Sequence, residues 1–409
     1  MLNNRMRISK NKIIYIFYFA LLAMMDINMF YLVPLTGSLS WIWGVYRKLL
    51  LVIISVILFL WCNSWSYGTR FMKKYTVGLV MSLCIISVSS YFRYDNNSFA
   101  GILLEISYFM LILLAFPVVK FLKKYNKDDF FKILNFVSFV LYVVFILQVI
   151  IYNSTGNFFL YIDYQFRNDS IRFSLKSIAC IMIIYNFCQL WVNKYARNKW
   201  FNLLQVVLGL YCVFFIQQTR AFYLAIGGAI CAVLLFYPTD ISKRIRNVFV
   251  LIVIVATVIG SGYLSDFLET FGQSSIEYNS TIIRQGGFLY FWNEFLTNPL
   301  LGHGIIVGTS QELQTIKTGP LGCYYYADTG FVGMLPQLGI FIVNIYLWPI
   351  FHFLKGISKR MRERKASAFS IGLITYILLT SVTVICLNPA YYIIWPISMA
   401  LLEFESIDN

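Results

Sequence analysis

Charged side chains are scarce in this 409-residue chain. Only 12% of its residues are Asp, Glu, Lys or Arg, whereas 59% are hydrophobic and the mean hydropathy is +0.71. Soluble globular domains carry about 25% charged residues, so the composition excludes an ordinary soluble protein. In lipid, a helix satisfies its own backbone hydrogen bonds. The sequence therefore predicts an all-α, polytopic membrane protein.

Residues that bind metals or form disulfides are also few or badly placed. The chain has two histidines, His303 and His352, and eight cysteines, of which Cys323 alone stands outside the apolar runs or their edges. A histidine-rich or cysteine-based metal centre and a disulfide framework are therefore excluded. We expect neither a metal nor a cofactor.

Long hydrophobic runs dominate what remains. A spanning helix needs about 20 mostly apolar residues. The runs predict a single integral-membrane domain, residues 1–409, built as a bundle of about twelve transmembrane helices. The predicted spans are 13–33, 46–62, 75–92, 99–119, 132–152, 173–192, 200–217, 220–237, 246–262, 329–353, 367–387 and 390–403.

The positive charges orient these spans. If the N-terminus is cytoplasmic, 24 of the 33 Lys and Arg residues fall in the inner segments, as the positive-inside rule requires. Both termini are then cytoplasmic. The net charge of +15 is explained by topology and by contact with anionic membrane lipid, so we expect no nucleic-acid partner.

One predicted outer segment, residues 262–328, is long and polar. A helical stretch at about Thr281–Leu296 places apolar residues on one face, as in a helix that lies on the membrane interface, and Asn298-Pro299 ends it. Because the other outer segments except 153–172 are short, we expect the chemistry in this large extracytoplasmic loop.

Two arginines are candidate phosphate-binding residues. Arg220 follows Gln218 and Thr219 at the predicted outer N-terminus of a helix, where the helix dipole and a guanidinium would together attract a diphosphate. The alternative is an arginine that reaches the lipid headgroups. Arg284 opens the helix of the loop. Its alternative role is an ion pair with Glu294, Glu277 or a lipid phosphate.

Two further residues of the loop are candidates for acid–base chemistry. His303, in Asn298-Pro-Leu-Leu-Gly-His-Gly304, is interpreted as a base, as a donor to phosphate, or as an ordinary turn residue. Asp328 follows three tyrosines where a helix is predicted to begin, so it is either a base or a helix N-cap. The candidate groove-lining residues are Tyr324, Tyr325, Tyr326 and Gln218.

The order of these motifs is informative. Gln218-Thr-Arg220, Ser280-Thr-Ile-Ile-Arg284, the His303 turn and Asp328-Thr-Gly-Phe-Val-Gly333 follow one another within residues 217–340. This order resembles the superfamily of O-antigen polymerases and O-antigen ligases, which are membrane glycosyltransferases. The resemblance implies that Arg220 and Arg284 are the two functional arginines. Ligases carry a His-Asn pair where Asp328 stands, so the polymerase is favoured.

The resemblance implies glycosyl transfer at the outer face of the bacterial cytoplasmic membrane. The donor would be a sugar chain on undecaprenyl diphosphate and the acceptor a lipid-linked repeat unit. A chain-length regulator and a flippase of the same pathway are the implied protein partners. Direct attack would invert the anomeric centre, with Asp328 or His303 as the base.

Two other functions compete with this interpretation. An O-antigen ligase is the alternative within the same superfamily. A flippase or transporter of lipid-linked oligosaccharides is the alternative of another class. A transporter typically places charged residues along the middle of broken helices, whereas here the polar residues gather in one outer segment.

The topology predicts which residues a membrane-impermeant thiol reagent reaches. With the Gln311→Cys variant, we expect labelling on intact spheroplasts, because residue 311 lies in the predicted extracytoplasmic loop. An Arg362→Cys variant should be labelled only after lysis. Labelling of residue 362 but not of residue 311 on intact cells would reverse the topology.

Overall fold

The computed structural model describes residues 10–26, 38–160, 164–167, 170–175, 177–192, 198–260, 278–308 and 310–407. Most of them are helical. The α-helices of these ranges are α1 Lys10–Asp26, α2 Ser38–Trp61, α3 Arg70–Arg93, α4 Phe99–Ile106, α5 Ala115–Lys124, α6 Lys127–Thr155, α7 Ser177–Val192, α8 Lys199–Tyr211, α9 Arg220–Phe236, α10 Ile241–Gly260, α11 Tyr278–Thr297, α12 Gln311–Thr318, α13 Gly330–Leu338, α14 Trp348–Arg362, α15 Ala368–Thr380 and α16 Ile394–Ile407.

The fold is nearly but not entirely α-helical. Strands β1 (Tyr164–Arg167) and β2 (Ser170–Phe173) form an antiparallel hairpin in which Tyr164 pairs with Phe173. Polar and apolar residues alternate along β2, and its apolar members Ile171 and Phe173 are buried. This hairpin was missed because alternation over four residues is a weak signal inside a chain of long apolar runs. Because β2 extends to Phe173, the helix that was predicted to begin at residue 173 begins at Ser177 instead.

The described residues include four helical segments that are long and apolar enough to cross a membrane. They are Arg70–Arg93, Phe99–Lys124, Lys127–Thr155 and Lys199–Gln217. A fifth is possible by length if Gly330–Phe341 and Val343–Arg362 are counted together, but these two helices meet at a bend of 108°. Each of the twelve predicted runs contains a helix, yet in five of them the apolar helical stretch among the described residues is only 10–17 residues long. The helices are confirmed, and the count of twelve spans stays a prediction.

The bend interrupts what the sequence predicts as one helix over residues 329–353. Pro336 lies inside α13, and Gly339 follows the helix with a φ of +53°. Proline lacks the backbone N–H that a continuous helix uses, and a residue with positive φ ends an α-helix. Hydropathy did not show this break because the residues on both sides of it are apolar.

The chain divides into two compact units. The first consists of residues 1–70, 108–223 and 389–409, and the second of 71–107 and 224–388. In the first unit, α7 packs on α8 and α5 packs on α16. Its core is aromatic. The largest fully buried side chains of this unit are Phe109, Phe116, Phe121, Phe130, Phe131, Tyr142, Phe145, Phe173, Phe222, Tyr392 and Trp395.

Ion pairs gather three predicted cytoplasmic segments at one end of the first unit. Lys12 Nζ of α1 lies 2.5 Å from Asp129 Oδ2 at the start of α6. Lys127 of α6 pairs with Glu405 near the C-terminus. These contacts bring the start of α1, the start of α6 and the end of α16 together, and the cytoplasmic location of these segments stays a prediction.

The second unit is organised around an irregular segment, residues 298–307. Helix α11 packs on α13, and the segment that follows α11 is held between α13 and the end of α3. Ile340 donates to the Leu300 carbonyl at 3.1 Å, and His303 donates its backbone N–H to the Pro336 carbonyl at 2.5 Å. Buried backbone groups need such partners when they are not in helices or strands. The bend after α13 therefore provides the surface on which this segment rests.

Gly302 is required by this packing. Its φ is +65°, and a Cβ atom there would lie 2.5 Å from the Pro336 carbonyl oxygen and 2.8 Å from the Gly339 nitrogen. Both neighbours are backbone atoms that cannot rotate away. A side chain at position 302 would therefore separate residues 298–307 from α13.

We expect Gly302→Ala to lower the melting temperature of the detergent-solubilised protein. Gly322→Ala is the matched control, since Gly322 has a φ of +67° but nothing within 4 Å of its added Cβ. The control measures backbone strain alone, about 1–2 kcal/mol for an L-residue in the left-handed region. Gly302→Ala should cost clearly more than the control. Equal melting temperatures for the two variants would mean that the contact with α13 does not stabilise the fold.

Candidate active site

His303 is buried between α11 and the end of α3. Only 9% of its surface is exposed. Its Nε2 atom lies 2.6 Å from Oε2 of Glu294 in the last turns of α11, and its Nδ1 atom lies 3.3 Å from the hydroxyl of Tyr94, just after α3. A carboxylate, an imidazole and a phenol thus lie in one row, although the contact between Nε2 and Glu294 is a charge contact without the geometry of a hydrogen bond. Such a row can bind a proton and stabilise the resulting charge.

The segment that carries His303 is tied to the chain after α3 on both sides of the histidine. Arg93 donates from its guanidinium to the Gly302 carbonyl. Asn97 donates from Nδ2 to the Ile305 carbonyl at 2.8 Å and accepts from the Val307 N–H at 2.9 Å. These bonds join residues more than 200 positions apart, and they fix the histidine in place before any substrate binds.

Aromatic rings cluster beside this row. Phe291 of α11 stacks on Tyr326 with centroids 4.5 Å apart, and Tyr290 lies 5.6 Å from Tyr324. The Tyr290 hydroxyl donates to the Thr315 carbonyl of α12 at 3.0 Å. Tyr325, the third predicted tyrosine, is 56% exposed. Aromatic faces provide apolar surfaces with a polar edge, which suits a sugar ring.

Burial sets the acidity of these tyrosines. Burial, and next the Glu294 carboxylate, raise the pKa of Tyr290 to about 12. Burial raises the pKa of Tyr326, and the neighbouring Tyr290, Tyr94 and Glu294 add to the effect. Burial also raises the pKa of Tyr94, while the Arg93 guanidinium opposes the shift. All three side chains are therefore neutral hydroxyls near pH 7.

Asp328 does not cap a helix. It ends a short 3₁₀ helix, Tyr326–Asp328, and is exposed, whereas Thr329 holds the position before α13. The N-cap alternative for Asp328 is therefore wrong, because the turn of 3₁₀ helix shifts the start of α13 to Gly330. Its role as a base stays a prediction.

Arg284 lies on α11, and its side chain is exposed. The helix predicted at about Thr281–Leu296 is confirmed as Tyr278–Thr297. Glu294 accompanies His303, so it is not the partner of Arg284 that the sequence suggested. The other suggested partner, Glu277, lies outside the described residues. The apolar residues Leu289 and Leu296 are more than half exposed, as expected of a helix at the membrane interface.

Arg220 is the first residue of α9 and is half-buried. The turn before it is held by Arg172 of β2, which donates from Nε to the Gln217 carbonyl at 3.1 Å and from Nη2 to the Gln218 carbonyl. Gln218 has a φ of +51°, and its Nε2 donates to the Phe215 carbonyl at 3.0 Å. Gln218 thus shapes this turn. Arg220 belongs to the first compact unit and Arg284 to the second, and their predicted convergence stays a prediction.

Sequence reasoning missed four residues of these arrangements: Arg93, Tyr94, Asn97 and Arg172. The polar run Arg93-Tyr-Asp-Asn-Asn97 at the end of a predicted span was a usable signal, because it lies on the same predicted side as the large loop. Arg172 gave no such signal. Within the described ranges, no three His, Cys, Asp or Glu side chains lie close enough to hold a metal ion.

These features define a multi-pass helical membrane protein that carries an ordered polar segment between apolar helices. The segment places a buried histidine against a carboxylate of α11 and a phenol that follows α3, and it comes after two helices, α9 and α11, that each carry an arginine.

Residues 205–347 match the protein family described as O-antigen ligase. The matched region contains Arg220, Arg284, Glu294, His303 and Asp328, and it supports membership of the chain in the O-antigen polymerase and ligase superfamily. A comparison of the chain with curated proteins finds no significant match. The enzymes of that superfamily transfer glycans, and they act on lipid-linked polysaccharides.

Proposed function

We propose that this protein polymerises lipid-linked polysaccharide repeat units of the O-antigen or capsule type. The chain on undecaprenyl diphosphate is the donor, and a lipid-linked repeat unit is the acceptor. Transfer occurs at the outer face of the cytoplasmic membrane and inverts the anomeric centre. The family match over residues 205–347, which includes every predicted site residue, is the observation that carries the proposal.

The two arginines bind the leaving group. When the bond from the anomeric carbon to the diphosphate breaks, negative charge develops on the diphosphate oxygens. Arg220 and Arg284 stabilise that charge with paired N–H donors, and for Arg220 the N-terminus of α9 adds its dipole. A diphosphate leaves readily as an anion, so the reaction requires neither a metal nor a general acid.

The acceptor hydroxyl needs a base, and the loop offers two candidates. Asp328 is exposed beside the tyrosines Tyr324, Tyr325 and Tyr326, which we assign to the floor of the acceptor groove. His303 has the better surroundings for accepting a proton, because Glu294 lies 2.6 Å from its Nε2 atom. A carboxylate at that position stabilises the imidazolium that forms.

Ligation of a finished chain is the second candidate function. The description of the matching family favours it. Both reactions displace the same diphosphate and differ only in the acceptor. Ligases carry a His-Asn pair at the position where this chain has Asp328. The aspartate therefore favours polymerisation.

Reconstitution with a defined acceptor tests the proposal. The purified protein, in liposomes with a synthetic lipid-linked repeat unit, should produce a ladder of chains that differ by one repeat. Transfer of a finished chain to lipopolysaccharide core without any ladder would identify a ligase. Movement of the lipid-linked substrate across the bilayer without new glycosidic bonds would identify a flippase.

Substitution of Arg220 tests how the diphosphate is bound. We expect Arg220→Lys to slow polymerisation strongly, because a single ammonium does not replace the planar pair of donors on arginine. Arg362→Lys is the matched control, since Arg362 is exposed at the end of α14 on the predicted cytoplasmic side. Chain growth should be measured in the reconstituted system at equal protein amounts. If both variants are as active as the wild type, Arg220 contacts lipid headgroups only.

A further inference from the structure

We propose that Tyr94, His303 and Glu294 form a proton relay in which the Tyr94 hydroxyl, and not the histidine, contacts the acceptor. Tyr94 takes the proton of the attacking sugar hydroxyl and passes its own proton to His303, whose ring is held by Glu294. This assignment rests on the proposed glycosyl transfer. It adds a residue, Tyr94, that lies outside the segment matched by the family.

The carboxylate of Glu294 selects the tautomer of His303. A carboxylate oxygen 2.6 Å from Nε2 does not have the geometry of a hydrogen bond, but its negative charge favours the ring form in which that nitrogen carries hydrogen and disfavours a lone pair there. The lone pair of the neutral ring is therefore on Nδ1. That atom faces the Tyr94 hydroxyl at 3.3 Å, so the phenol is the donor and the imidazole is the acceptor.

Burial keeps the histidine from the acceptor. Only 9% of His303 is exposed, and both ring nitrogens already face protein groups. Tyr94 is less buried and follows α3 directly, in a run where Tyr91 is 46% exposed and Phe92 80% exposed. A sugar hydroxyl can therefore approach the phenol without moving His303. Tyr326 of the proposed groove is close enough for Tyr94 to affect its pKa, which places the relay beside the tyrosine cluster.

The relay is held rigid from both ends. Arg93 donates to the carbonyl of Gly302, which precedes the histidine. Tyr94 follows Arg93 in the chain, so this bond also holds Tyr94 near His303. His303 also donates its backbone N–H to the Pro336 carbonyl. The phenol and the imidazole thus keep their separation through contacts that do not involve the substrate. The pKa of Tyr94 is raised by burial, so its hydroxyl retains the proton that it must donate to Nδ1.

Each bond formed in the transfer is matched by a bond that breaks. The acceptor oxygen forms a bond to the anomeric carbon while the bond from that carbon to the diphosphate oxygen breaks, and the diphosphate leaves with the electron pair. The acceptor proton moves to the Tyr94 oxygen as the phenolic proton moves to Nδ1 of His303. The resulting imidazolium is stabilised by the Glu294 carboxylate. Its proton returns through Tyr94 to water after the product leaves.

Steady-state kinetics of the reconstituted protein test the relay. Tyr94→Phe removes only the hydroxyl, and we expect kcat to fall about 10²–10⁴-fold, as for loss of a general base, with KM for the acceptor nearly unchanged. Tyr91→Phe is the matched control on the same turn and should retain the wild-type kcat. Glu294→Gln should lower kcat less than His303→Ala does. Glu363→Gln, which removes an exposed carboxylate just after α14, is the control for charge and should have no effect.

A solvent isotope effect separates proton transfer from a structural role. In the wild type two protons move together, so kcat should fall nonlinearly as the fraction of deuterium oxide in the solvent rises. For Tyr94→Phe, the effect should become smaller and linear. Melting temperatures should show that each variant is folded.

Two outcomes would overturn the relay while leaving the polymerase in place. The first is a Tyr94→Phe protein with wild-type kcat beside an inactive His303→Ala protein, since the histidine would then contact the acceptor itself. The second is an active His303→Ala protein beside an inactive Asp328→Asn protein, since Asp328 would then be the base. A wild-type protein that forms no glycosidic bond at all would instead refute the proposed function.

Discussion

The docking of residues 298–307 onto the end of α3 is the constraint on which the candidate site depends. This segment has no regular secondary structure, so its backbone groups need partners elsewhere. Ser90, Arg93 and Asn97 supply these partners in the second compact unit. The same contacts bring Tyr94 to His303, and the site is therefore a by-product of satisfying buried backbone groups.

Local features of the fold were predictable from the sequence, and long-range contacts were not. Apolar periodicity and the Asn298-Pro299 stop predicted α11 to within three residues at its N-terminus and one at its C-terminus. His303 was recognisable from its glycine-flanked turn. Its contact with Tyr94 was not, because a single sequence contains no signal that connects positions 209 residues apart.

The predictions that were wrong and the features that were missed also depend on structure that a single sequence does not show. Asp328 precedes an apolar helix, as an N-cap does, but a 3₁₀ turn moves the helix start by one residue, so that Thr329 holds the N-cap position. The break after Pro336 lies inside continuous apolar sequence, where hydropathy does not change. Arg172 lies in a four-residue strand, and only the tertiary structure shows that it holds the turn before Arg220.

The ties between α3 and the His303 segment also determine when this arrangement can form during synthesis. Tyr94 emerges from the ribosome about two hundred residues before His303, and six of the twelve predicted spans lie in between. A growing chain therefore holds the phenol without the imidazole. Nascent or truncated chains that end before residue 303 lack the contact between these two side chains.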